Sequence, residues 1–214
     1  MIELKQLASA VHQYFWQNKL LLVQSLTEGQ QLLEALIREG IAWANLRPIT
    51  PLELALEMIQ PDMQQRGLER IEPDQLLFML NEIIAGLERR GEIVYFRQLL
   101  ETGVLTQVIV KSITELRLTE VEAATLSPEQ LGDPQKAREM GLILNAYDLE
   151  LESRGLMDDA AVFQRANGLL LTGTNLLSEK VIIIPEKLPL STIANHFVSQ
   201  LKKHSGIILW ENPL

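Results

Sequence analysis

Three short, uninterrupted apolar runs constrain most strongly what this chain can fold into. They are Leu20–Val23, Val181–Ile184 and Ile207–Trp210. Runs of this length, without the alternation of a half-exposed strand, are typical of strands that are buried on both faces, as in a parallel sheet. The segment 41–46 is predicted as a further strand. We expect these strands to be neighbours that are joined by right-handed crossovers.

Helix-start signals lie between the first two predicted strands and directly after them. Thr27 with Gln30, and Thr50 with Glu53, match the capping box that opens a helix. Residues 19–60 therefore alternate strand, helix, strand, helix. This alternation indicates a parallel α/β sheet.

The middle of the chain has a different pattern, because every segment from residue 61 to residue 170 favours helix. Residues 104–116 contain many β-branched side chains, but the spacing of Leu105, Ile109 and Leu116 predicts a helix there. Later in the same stretch, a capping box over Ser127–Gln130 is predicted, as are a long helix from Asp133 to Gly155 and a short helix from Asp158 to Ala166.

The chain is therefore predicted to be an α/β protein in which a parallel sheet with flanking helices is interrupted by a large all-helical insertion. Residues 1–60 and 171–214 form the discontinuous α/β domain of this prediction. Residues 61–170 form its helical insertion subdomain.

Composition excludes several classes of site and partner. The chain has no cysteine, which excludes disulfides, thiolate nucleophiles and iron–sulfur clusters. Its histidines, His12, His196 and His204, match no familiar metal-binding spacing. The net charge of -9 opposes autonomous binding to a phosphate backbone. No run approaches the roughly 18 apolar residues of a membrane span, and no signal peptide is recognised, so we expect a cytoplasmic protein with no membrane partner.

The sequence resembles one family of DNA-processing proteins. The phrase Asn45-Leu46-Arg47, followed by Thr50-Pro51 and Leu54-Ala55, looks like an early motif of the B subunit of the AddAB/RexAB helicase–nucleases. A later series, Tyr147, Leu151, Gly155 and Asp158, is similar to a second phrase of that family. The resemblance implies an inactivated superfamily 1 helicase region, which has a P-loop NTPase-like fold and a helical subdomain.

The chain departs from an active helicase at the nucleotide-binding positions. No G-x-x-x-x-G-K-[ST] loop occurs anywhere, although such a loop cradles phosphates in active relatives. Where the family would place its acidic Mg²⁺-binding pair, the chain reads Ile184-Pro185-Glu186-Lys187, a poor metal site. We therefore predict no catalytic residue, no metal site and no cofactor. Within the resemblance, the partners are protein subunits of a helicase–nuclease complex, and single-stranded DNA is bound only in that complex.

Trp43, Arg47, Arg89 and Arg90 are the candidates for DNA contact. A tryptophan can stack a base and an arginine can bind phosphate, but both types also have ordinary structural roles. Trp43 could instead pack in the core, and Arg89 and Arg90 could instead be solvated residues that complement a helix C-terminus. Asp158 and Asp159 are expected to cap a helix rather than to bind a metal.

A second function remains open from the sequence. The chain could be a small cytosolic interaction or regulatory module with no nucleic-acid role, in which the helical segment presents a groove to a protein partner.

Overall fold

The computed structural model describes residues 2–97, 105–172, 180–203 and 207–210. Its helices are α1 (Ile2–Gln13), α2 (Leu26–Arg38), α3 (Pro51–Arg66), α4 (Pro73–Arg89), α5 (Leu105–Leu118), α6 (Pro128–Leu131), α7 (Pro134–Arg154), α8 (Asp159–Leu171) and α9 (Thr192–Leu201). Its strands are β1 (Asn18–Leu22), β2 (Leu46–Ile49), β3 (Glu69–Arg70), β4 (Leu156–Met157), β5 (Lys180–Pro185) and β6 (Ile207–Trp210). Within these ranges, no helix combines the length and apolarity that a bilayer span requires.

Contacts divide the chain into two compact units. The first comprises residues 1–60 and 162–214, and the second comprises residues 61–161. In sequence, the second unit lies between the two segments of the first.

The first unit is built on a parallel sheet with the strand order β2-β1-β5-β6. The two central strands are the apolar runs of the sequence, and both Leu20 and Leu21 of β1 are buried although they point to opposite faces. Helices α1 and α2 cover one face, where Leu7 and Leu36 pack with Leu21 in one core cluster. The predicted α/β class, with a parallel sheet and flanking helices, is confirmed.

The second strand of the sheet lies later in the sequence than predicted. Residues 41–44 are not in a strand, and β2 instead begins at Leu46. Asn45 has a φ of 52°, a left-handed conformation that cannot continue a strand. Pro48 lies within β2, which is possible because β2 is at the edge of the sheet and need not donate from that position.

The start of α2 also differs from the prediction. Ser25, rather than Thr27, is the N-cap, and its hydroxyl accepts a hydrogen bond of 3.2 Å from the Glu28 amide. Gly29 lies in the first turns of this helix, where a Cβ atom would come within 2.4 Å of the Cβ of Pro48. Glycine therefore lets α2 pack closely against the edge strand.

The second unit has a separate core, to which α4, α5 and α7 contribute buried side chains such as Leu80, Ile113 and Tyr147. The predicted helix over 104–116 is confirmed as α5. Asp133 caps α7 by accepting bonds from the Gln135 and Lys136 amides, as the sequence predicted.

A buried carboxylate fixes the segment that follows α4. Glu139 of α7 is fully buried, and its two oxygens accept hydrogen bonds of 2.7, 2.7 and 3.0 Å from the amides of Val94, Tyr95 and Phe96. Three charge-assisted bonds offset the cost of burying the carboxylate.

Candidate functional site

Two of the residues predicted to contact DNA, Trp43 and Arg47, line the same cleft in the first unit. The cleft has a volume of about 410 Å³ and lies where β1, β2 and β5 begin, so we call it the amino-edge cleft. Its lining residues are Asn18, Lys19, Leu20, Trp43, Asn45, Leu46, Arg47 and Lys180.

The sheet register brings Arg47 and Lys180 to one face of the sheet. Arg47 is paired with Leu20 and Lys180 with Asn18, and these two residues of β1 are two positions apart. Side chains that alternate along a strand point to the same face at this spacing. Lys180 is therefore a cation of this site that sequence reasoning missed, since 132 intervening residues separate it from Arg47 in the chain.

One carboxylate serves both of these cations. Glu57 of α3 accepts two bonds from the Arg47 guanidinium, 2.7 and 2.9 Å long, and lies 3.6 Å from the Nζ atom of Lys180. The hydrogen bond from Arg47 holds the pKa of Glu57 below its ordinary value, and Lys180 lowers it further. The charge of Glu53 also acts on Arg47, so the two cations are partly neutralised by neighbouring carboxylates in a chain whose net charge is -9.

Lys19 adds a buried cation to the floor of the cleft. Its ammonium group donates hydrogen bonds to the carbonyl oxygens of Tyr14, Phe15 and Gln17, at 2.7, 3.1 and 2.8 Å. These carbonyls directly follow the end of α1, where a positive charge is favourable. Burial lowers the pKa of Lys19. Because all three N–H groups are used, we assign Lys19 a structural role in holding the turn between α1 and β1.

The aromatic side chains at the cleft differ in exposure. Trp43 is half-buried, packs against the core and precedes β2, so its predicted position on a strand is wrong. Trp16 is 84% exposed and meets the Phe15 ring edge-on at 5.0 Å. The side-chain amide of Asn45, a cleft residue, donates a 3.2 Å bond to the Trp16 carbonyl. The Trp16 backbone therefore lies beside a cleft residue, a position that nothing in its local sequence indicated.

The other two predicted DNA contacts belong to the second unit and do not line this cleft. Arg89 is exposed in the last turn of α4, and Arg90 follows it as the C-cap. Arg90 forms a 2.7 Å ion pair with Glu92, an arrangement that matches the alternative of a solvated helix end.

The carboxyl edge of the sheet is where parallel α/β sheets commonly bind ligands. Here β1 and α2 are separated by only Val23, Gln24 and Ser25. The Ser25 hydroxyl bonds to the Glu28 amide, and the Glu28 carboxylate accepts a 2.9 Å bond from the Gln24 amide. The side chains of Ser25 and Glu28 thus accept hydrogen bonds from backbone amides at the start of α2, and Glu28 places a negative charge there.

Asp158 and Asp159 have separate roles at the start of α8. Asp158 accepts a 2.9 Å bond from the Ala161 amide, which confirms the predicted cap, and it also pairs with Arg117. Asp159 pairs with Arg70 at 2.8 Å. Across the described ranges, no three His, Asp or Glu side chains converge in a group that could hold a metal ion. His204 lies outside those ranges.

No protein-family model matches the chain, and no curated protein matches it significantly. The resemblance to the helicase–nuclease B subunits therefore stays a prediction.

Proposed function

We propose that the chain is a non-catalytic, helicase-like domain of a cytoplasmic helicase–nuclease that repairs double-strand breaks. In this proposal its sheet has a P-loop NTPase-like arrangement without a P-loop, and residues 61–170 are the helical insertion. The domain supports the protein subunits of the complex and guides single-stranded DNA.

The observation that carries the proposal is the start of α2. In P-loop proteins, a strand-to-helix connection carries a glycine-rich loop whose amides cradle phosphates. Here the connection between β1 and α2 is three residues long, Ser25 caps the helix, and the Glu28 carboxylate accepts a hydrogen bond from the Gln24 amide. A carboxylate at this helix start repels a phosphate, which supports a domain that binds no nucleotide at this connection.

The DNA-guiding part of the proposal rests on the amino-edge cleft. Arg47 and Lys180 offer positive charge to phosphates, while Trp43 and the exposed Trp16 offer ring faces on which bases can stack. The acidic remainder of the chain opposes binding at long range. The isolated chain therefore binds DNA weakly, and the complex supplies the remaining phosphate contacts.

Isothermal titration calorimetry with ATP and Mg²⁺ tests the loss of nucleotide binding. We expect no heat of binding from the full chain. Micromolar, Mg²⁺-dependent affinity would overturn the proposal. The variant Glu28→Gln tests whether the carboxylate alone prevents binding. We expect this variant also to leave ATP unbound, because the chain has no glycine-rich loop.

A further inference from the structure

The second unit contains a small cavity that the proposed function does not use. Its volume is about 110 Å³, and its walls are largely apolar, with Ile71, Leu76 and Leu118 among the lining residues. A dry cavity of roughly 150 Å³ is large enough to bind benzene. The smaller volume here accommodates a branched alkyl group of about four or five carbon atoms.

One carboxylate at this cavity has an oxygen that no described residue bonds to. Arg70 donates two bonds to Asp159, of 3.1 and 2.8 Å, and both end on the same atom, Oδ1. Among the described residues, no donor forms a hydrogen bond to Oδ2 of Asp159. The Asp159 side chain is 37% exposed, so a donor from solvent can reach it without displacing Arg70.

The neighbouring carboxylate is already saturated. Asp158 also lines the cavity, but its oxygens accept from the Arg117 guanidinium, the Tyr147 hydroxyl at 3.3 Å and the Ala161 amide at 2.9 Å. Arg117 also pairs with Asp148 and lies 5.5 Å from the centre of the Tyr147 ring. Asp158 therefore holds α5, α7 and α8 together, and Asp159 is the group that is left to recognise a ligand.

We infer that this cavity binds a small cationic amine that carries a branched alkyl group. The alkyl group lies between Ile71, Leu76 and Leu118, and the ammonium group donates to Oδ2 of Asp159. Arg70 is a cation in the cavity wall, but the exposed residues Glu69, Glu72 and Asp74, which adjoin Arg70, Ile71 and Pro73 in the chain, are acidic and favour a cationic ligand. The same chemistry occurs in a free alkylamine and at the N-terminus of a polypeptide that begins with leucine, valine or isoleucine.

Titration of the full chain with isopentylamine, followed by amide chemical shifts, tests the site. We expect shifts at Thr114 and Ala160, which line the cavity. Isopentyl alcohol has the same shape without the charge, and we expect it to bind about five- to tenfold more weakly, because bonds to charged groups are stronger than neutral ones. The tripeptide Leu-Gly-Gly identifies the source, since tighter binding than isopentylamine indicates a polypeptide N-terminus and weaker binding indicates a free amine.

Two variants separate the charge from the cavity. Asp159→Asn removes the carboxylate and is expected to abolish the preference for amine over alcohol. Asp74→Asn is the control, since Asp74 is an acid that does not line the cavity, and this variant should retain the preference.

Leu118→Trp is expected to fill the cavity at a half-buried position and to abolish binding of both probes. Thermal unfolding checks that this variant folds. The inference is overturned if Asp159→Asn keeps the preference, if folded Leu118→Trp binds as well as the wild type, or if neither probe shifts the cavity amides. It does not depend on the ATP or DNA results.

Discussion

The guanidinium of Arg47, a residue of the amino-edge cleft, meets the Glu57 carboxylate through two bonds, of 2.7 and 2.9 Å. Glu57 thereby competes with any phosphate that approaches Arg47 and Lys180. The positive charge of the cleft is thus present but partly neutralised within the isolated chain.

Replacement of Glu57 should strengthen binding of single-stranded DNA. We expect Glu57→Gln to raise the affinity for a labelled oligonucleotide at low salt by severalfold, because it releases both cations for phosphate. The loss of a partly exposed pair should cost only about 0.2–1 kcal/mol of stability. Fluorescence anisotropy measures the affinity. Glu34→Gln, the same charge change on the exposed side of α2, is the control, and an equal gain in both variants would show that net charge alone is responsible.

The same pair makes a pH-dependent contribution to stability. The pKa of Glu57 is lower in the folded chain than its ordinary value of 4.5, so the unfolded chain binds more protons in the window just below that value. The contribution is present above pH 4.5 and is lost as the pH falls through the folded pKa. We expect the Tm difference between wild type and Glu57→Gln to shrink between about pH 7 and about pH 3. A constant difference across this range would contradict the assignment.

Gly29→Ala should destabilise the first unit even though alanine is the better helix former. Alanine gains about 0.5–1 kcal/mol in a helix, but a Cβ atom 2.4 Å from Pro48 forces a shift that costs about 1–3 kcal/mol. Gly168→Ala in α8 is the matched control, since its Cβ would have no neighbour within 4 Å and the change should be stabilising. Urea unfolding measures both, and the same sign for the two variants would argue against the close contact.

Glu139→Gln should destabilise the second unit by about 2–4 kcal/mol. The glutamine side chain has no negative charge, and its N–H₂ group would face a backbone N–H donor instead of accepting from it. Glu152→Gln, an exposed position on the same helix, is the control and should change stability by less than about 0.5 kcal/mol. Thermal unfolding followed by circular dichroism gives the comparison. Equal effects of the two substitutions would show that the bonds to the amides of Val94, Tyr95 and Phe96 contribute little.

Local patterns in the sequence predicted those elements whose own residues determine their structure. The apolar runs predicted β1, β5 and β6, and the box at Thr50 and Glu53 is present, with a 3.2 Å bond from the Glu53 amide to the Thr50 hydroxyl. The second strand was misplaced because an edge strand with an exposed Arg47 and a proline lacks the apolar signal of a buried strand. Thr27 and Ser25 are both good caps, and sequence alone does not distinguish them.

The parts of the site that were missed depend on distant pairing. Lys180 reaches the cleft only through the register of β5 beside β1, and Glu57 reaches Arg47 and Lys180 only through the position of α3. The three amides that Glu139 binds lie 43 to 45 positions earlier in the chain. No periodicity within a short window indicates such contacts.

The most direct test of a DNA-guiding domain is the salt dependence of oligonucleotide binding by the isolated full chain and by Arg47→Ala. At about 0.1 M salt we predict binding no tighter than the micromolar range that is typical of non-specific contacts. At lower salt, Arg47→Ala should reduce the slope of log K against log salt by about 1, as expected for the loss of one phosphate contact. Sub-micromolar affinity at about 0.1 M salt, or a slope that Arg47→Ala leaves unchanged, would contradict the proposed role of the amino-edge cleft.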